Sequence, residues 1–168
     1  MGTSKSGRYL NTKGSGRSVS DFALVHSSEG TFKWSLVKTN GVISNKIRLA
    51  SGCHSQKGMD LLDKYGIAYN IVKTYTNGVR VGNVPNHADK RKRTGTTQAW
   101  FPRNWTDKDI RRAGEHVAGL KHNHHKPDGK PFFGVYKGVR VGVIKTHGKI
   151  ATVFPDIDQR PVLRRKRK

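Results

Sequence analysis

A single cysteine, Cys53, most limits how this chain can fold. No internal disulfide can form and no cysteine-based zinc centre can assemble, so the domain must close on packed side chains alone. Its 168 residues suit one domain, and the 33% that are hydrophobic suffice for a modest core with little to spare. The lack of staples fits a reducing compartment without excluding export. No stretch approaches the ~18 apolar residues needed to span a membrane, so no membrane insertion is expected. The polar opening Met1–Arg8 carries no secretory-leader pattern. We expect a flexible segment at 1–18, a folded domain at 19–158 and a basic tail at 159–168.

Charge narrows the partner. Lys and Arg number 33 against 11 Asp and Glu, a net charge of +22. Such a field concentrates polyanions and speeds their arrival, and nucleic acid is the commonest of them. Solubility alone does not require so lopsided a balance.

Along the chain, Phe22–Val25 and Phe32–Val37 are apolar stretches, and the second alternates as a strand does. Asn40-Gly41 then signals a turn. Ser55 is placed to cap a helix that buries Met59, Leu62 and Tyr65 and stops at Gly66. Ile67–Lys73 and Gly78–Val84 read as a hairpin, followed by a basic polar loop over 86–98. Trp100–Thr106 is an aromatic-anchored turn. Thr106 and Asp109 form a capping box ahead of Ile110, Ala113, Val117 and Leu120 at helical spacing. After a polar loop, 132–137, 139–145 and 149–154 read as strands turning at Lys137-Gly138 and His147-Gly148. Gly78-Val-Arg-Val-Gly82 recurs as Gly138-Val-Arg-Val-Gly142, a hint of similar strand geometry. The pattern predicts an α+β fold: a small N-terminal layer with one or two helices, then a mostly antiparallel sheet packed on the Thr106–Leu120 helix.

Eight histidines in so basic a chain direct attention to acid–base chemistry. Metal-free RNA cleavage needs a base for the 2′-hydroxyl, an acid for the leaving 5′-oxygen and a cation or amides for the phosphate. Imidazoles titrate near neutrality and serve both proton roles. His54 lies in the small-residue turn Ala50–Ser55, where a phosphate can approach closely. His87 follows a strand end and opens the basic run Lys90-Arg91-Lys92-Arg93. Beyond that run, Thr96 and Thr97 offer hydroxyls to a phosphate. His116 on a helix and His147 in a turn read as structural. His122-Asn123-His124-His125 superficially resembles the start of an HNH metal site. No asparagine follows Asn123 and only His147 remains as a later ligand, so the second half of that site is missing.

Gly148-Lys-Ile-Ala-Thr-Val-Phe-Pro155 resembles the C-terminal signature of EndoU ribonucleases, and Trp100–Thr106 with its helix is similar to the Phe-Pro-x-x-Trp segment of bacterial EndoU toxin domains. Together these cover roughly residues 50–156. The resemblance implies that Thr152 and Phe154, on one face of a strand, hold a pyrimidine. It implies a histidine pair and a lysine beside them, here His54, His87 and either Lys90 or Lys92. The charge of Arg93 and the hydroxyls of Thr96 and Thr97 make these three the expected substrate contacts in the same loop. Ser51–His54 resembles the family's Gly-Gly-x-His turn with a cysteine inserted. The family sets its two histidines closer in sequence than the 33 residues separating His54 from His87.

The reading is therefore a nuclease domain that cleaves RNA by 2′-hydroxyl attack, with no metal and no cofactor. The resemblance further implies a toxin domain of a larger secreted protein. That protein would act in the target-cell cytoplasm and be neutralised by an acidic immunity protein captured electrostatically. Two rivals remain: a non-catalytic module stacking bases on Trp100, Phe101 and Trp105, and a metal-dependent DNase built on His122–His125.

Overall fold

The computed structural model describes residues 16–160. The flexible N-terminal segment expected over 1–18 therefore lies outside the described residues as far as residue 15, and the basic tail does so beyond residue 160. The fold is α+β, and every strand pairing among the described residues is antiparallel.

The chain enters through helix α1 (Asp21–Ser28), which Ser20 caps by accepting from the Ala23 N–H at 3.1 Å. Phe22–Val25 is thus helix, read from its cap and not from its apolarity. A hairpin follows, β1 (Thr31–Thr39) and β2 (Val42–Ser51), turning at Asn40-Gly41 as expected. Helix α2 (Gln56–Lys64) is capped by Ser55 and buries Met59 and Leu62. Tyr65 leaves that face and stays 38% exposed, because it packs edge-on against Phe32 of the hairpin.

Next come β3 (Asn70–Thr74) and β4 (Arg80–Asn83), a 3₁₀ turn at Lys90–Lys92, and β5 (Gln98–Trp100). Thr106 and Asp109 form the expected capping box at the start of α3 (Asp107–Gly119). The chain ends in β6 (Phe132–Tyr136), β7 (Val139–Thr146) and β8 (Lys149–Pro155). The single sheet expected from sequence is divided into β1-β2, β3-β4-β5 and β6-β7-β8.

Two cores explain the division. The larger gathers Ile110, Ala113 and Val117 of α3 with Val79, Val81, Val139, Val141, Val143 and Val153. Both Gly-Val-Arg-Val-Gly copies feed it through the central strands of two three-stranded sheets, so the sequence echo marks equivalent positions. Gln159 joins them: its side chain accepts from Asn77 at 2.8 Å and from the Arg140 N–H at 2.9 Å. The smaller core packs Leu49, Cys53, Met59, Leu62, Ile67, Val84 and Trp100 beneath the hairpin root. Trp100 and Phe101 are wholly buried and Trp105 stacks on Phe101 at 4.9 Å. These aromatics serve the cores, so they do not form the base-stacking surface of the non-catalytic rival.

Candidate active site

Residues from five parts of the fold meet around one open pocket between α1, the Gly52–His54 turn, the 87–92 loop, β5 and the edge of the third sheet. Its cavity of about 210 Å³ is lined by His26, His54, His87, Lys92, Thr152 and Phe154, with Asp89, Gln98, Ile144 and the backbone-rich Ala50–Gly52 completing the wall.

The turn carrying His54 is held by the end of α1. Backbone N–H groups of Cys53, His54 and Ser55 donate in succession to the carbonyls of His26, Ser27 and Ser28, at 3.3, 2.7 and 3.2 Å. These are carbonyls that a helix C-terminus leaves unpaired, so one motif satisfies the helix and positions the histidine. Gly52 and Cys53 both adopt left-handed backbone, with φ of 71° and 68°. A Cβ on Gly52 would lie 2.0 Å from the His26 carbonyl oxygen, so glycine is required there. From the opposite side, Gln98 donates to the carbonyls of Gly52 and Cys53 at 3.2 and 3.3 Å, and the Phe101 N–H donates to the His54 carbonyl at 2.7 Å. Cys53 points into the smaller core, and burial pushes its thiol up to about 12.

Tautomers follow from the backbone. His54 Nδ1 meets the Ala99 carbonyl oxygen at 2.8 Å. A carbonyl only accepts, so Nδ1 carries the hydrogen and Nε2 the lone pair in the neutral ring. His87 is the reverse: the Asp89 N–H donates to its Nδ1 at 2.8 Å, leaving Nε2 as its N–H. That Nε2 is buried and has no hydrogen-bond partner among the described residues. Burial, then the Lys92 charge, hold His54 down to about 3 and His87 down to about 4, so both are neutral at ordinary pH. His26 Nδ1 pairs with Thr31 Oγ1 at 2.8 Å, and burial lowers its pKa as well.

Of the two candidate lysines, Lys92 lines the pocket. Its Nζ donates to the Thr97 carbonyl at 3.0 Å, and burial lowers its pKa. Lys90 is exposed on the 3₁₀ turn and does not line the pocket. Arg93 turns back to hold the His87 carbonyl at 2.7 Å, Thr97 donates to the Thr94 carbonyl at 3.0 Å, and neither they nor Thr96 line the pocket. Thr152 and Phe154 share the pocket-facing side of β8, as the strand period requires. Phe154 lies across Gly142 of β7, where a Cβ would come within 2.5 Å of the ring, and its ring centre is 6.1 Å from that of His54.

His26, Asp89 and Gln98 were missed in the sequence. His26 hides in the last turn of a helix whose only local signal is the Ser20 cap. Gln98 is 1% exposed, which no local pattern announces. His116 packs near Tyr136 and His147 occupies a turn at φ 54°, and neither lines the pocket. The His122–His125 cluster lies away from the pocket, with His124 Nε2 on the Gly119 carbonyl at 3.0 Å. Among the described residues no three His, Cys, Asp or Glu side chains gather as metal ligands. No helix among them is long and apolar enough to cross a membrane.

Proton-transfer groups beside a cation, on a surface that attracts polyanions, are what phosphodiester cleavage requires, and the class they define is that of nucleases. The family follows from comparison: the model described as bacterial EndoU nuclease matches residues 37–157, and the chain belongs to that family. Nucleic acid is accordingly its substrate. No curated protein and no solved structure matches the chain. His26 precedes the matched segment.

Proposed function

We propose that this nuclease cuts RNA by metal-independent transesterification, leaving a 2′,3′-cyclic phosphate and a 5′-hydroxyl. The carrying observation is the fixed tautomer of His54, a neutral imidazole whose lone pair is on Nε2. In this reading Nε2 takes the 2′-hydroxyl proton, O2′ attacks phosphorus, and the 5′-oxygen leaves with a proton from a second imidazole. His26 fits that acid role, because it lines the same pocket as His54 and its ring is held there by the Nδ1 pairing with Thr31 Oγ1. His87, whose buried Nε2–H has no partner among the described residues, then turns that N–H onto the phosphate beside Lys92, where charge builds as O2′ adds. Phe154 stacks on the base 5′ to the cut and Thr152 bonds its edge, which suits a pyrimidine.

Replacing the 2′-hydroxyl at the cleavage position by hydrogen tests the chemistry. We expect cutting to stop there while binding persists; continued cutting at the deoxy position would overturn the proposal.

The same reading places the domain in a toxin, released from a larger secreted protein and acting in the target-cell cytoplasm. A net charge of +22 supports an acidic immunity protein as its inhibitor, since complementary fields speed capture.

A further inference from the structure

The β1–β2 hairpin is rooted in the pocket at both ends. Thr31 at the start of β1 bonds His26, and Ala50 and Ser51 at the end of β2 form pocket wall. From these roots strands of 9 and 10 residues extend, about 30 Å at the usual rise. Only Leu49 in the hairpin is fully buried, with Phe32 and Ile47 packed beside it.

The register puts Trp34 opposite Ile47, Leu36 opposite Asn45 and Lys38 opposite Ile43 on one face. Trp34 is 63% exposed, Leu36 72% and Ile43 64%. Tyr65 meets Trp34 edge-on at 6.5 Å and widens this surface. The ribbon has two strands only, so both edges are unpaired within the sheet. Lys33, Lys38, Lys46 and Arg48 lie on it, and no acidic residue occurs between Glu29 and Asp60.

A folded domain gains nothing by displaying an indole and large aliphatic groups to water on a projecting ribbon. A single strand of nucleic acid accounts for the combination. Its bases and sugars pack on the ring-bearing face, while long basic side chains reach phosphates around the narrow edges. The four cations without an acid, and the continuity with the pocket, favour this occupant over a protein with an apolar face.

We propose that the β1–β2 hairpin is a strand-binding arm that holds single-stranded substrate leaving the pocket, with Trp34 and Tyr65 as the stacking surface and Lys33, Lys38, Lys46 and Arg48 as phosphate contacts. It rests on the reading of the pocket as the cleavage site.

The test compares a trinucleotide with a strand of about fifteen nucleotides, in wild type, Trp34→Ala, Trp34→Phe and the double variant Lys33→Ser/Lys46→Ser. Trp34→Ala should raise KM for the long strand about tenfold and leave the trinucleotide unchanged. Trp34→Phe should restore most of the loss, and the lysine variant should flatten the salt dependence. Equal effects on both lengths, or none on either, would overturn the arm. Anisotropy of a labelled long strand with deoxyribose at the cleavage position measures binding without turnover. If wild type cuts nothing yet Trp34→Ala weakens this binding, the arm stands and the RNA-cleavage reading falls. If wild type cuts and every variant binds like wild type, the arm falls; an apolar protein partner in its place would give that same outcome.

Discussion

His54 Nδ1 donates to the Ala99 carbonyl oxygen across 2.8 Å, and this one bond leaves the lone pair of the neutral ring on Nε2. His87 accepts from the Asp89 N–H through its own Nδ1 and so presents the opposite nitrogen as a donor. Two histidines alike in sequence thereby receive different chemistry from backbone groups.

Variants separate these roles. Alanine at His54 or at His26 should each lower kcat by about 10²-fold or more, with KM little changed. His87→Ala should also lower kcat, whereas His87→Asn should recover part of it by restoring a donor. Wild-type kcat in either His54→Ala or His26→Ala would remove that residue from the proton transfers.

Stability should depend on pH through the same rings. In the unfolded chain histidine takes its proton near its ordinary 6.5, but in the folded protein His54 does so only at about 3 and His87 at about 4. Between these values the unfolded chain binds more protons. Stability is therefore full above about 6.5 and falls as the pH drops toward 4 and then 3. Thermal unfolding from pH 7 to pH 4 should show a falling Tm, with a shallower fall in His54→Gln. Equal slopes in wild type and variant would count against the buried neutral ring.

Lys92 and Lys90 should part company. Lys92→Met removes a half-buried cation at the pocket and should reduce kcat by roughly two orders of magnitude. Lys90→Met removes an exposed charge and should alter only the salt dependence of KM. Similar kinetics in the two variants would contradict the placement of Lys92.

Much of this was legible in the sequence where short-range physics decides. The Thr106–Asp109 box, the Ser55 cap, the Asn40-Gly41 turn and the alternation that puts Thr152 with Phe154 are local patterns, and each recurs in the structure. What stayed hidden depends on distant partners. His26 reaches the pocket because the Gly52–Ser55 turn docks on three helix-end carbonyls, a contact between segments about a hairpin apart. Arg93 and Thr97 carried the right chemistry for phosphate, yet their hydrogen bonds go to their own loop. Trp100 and Phe101 resemble a stacking surface until the two cores absorb them.

Cys53 should be chemically silent. It is fully buried and its thiol is pushed up to about 12 by burial, so little thiolate forms near neutrality. A thiol-specific reagent should label it only after denaturant is added, leaving activity intact beforehand. Rapid labelling of the folded protein with loss of cutting would place the sulfur in the site.

The central claim is that imidazoles, and not a metal, move the protons. The most direct measurement is to incubate the protein with end-labelled RNA and with DNA of the same sequence, in excess EDTA, and identify the product ends. RNA fragments ending in 2′,3′-cyclic phosphate, with DNA intact, are the expected result. Cutting that EDTA abolishes, or cutting of DNA under the same conditions, would contradict it.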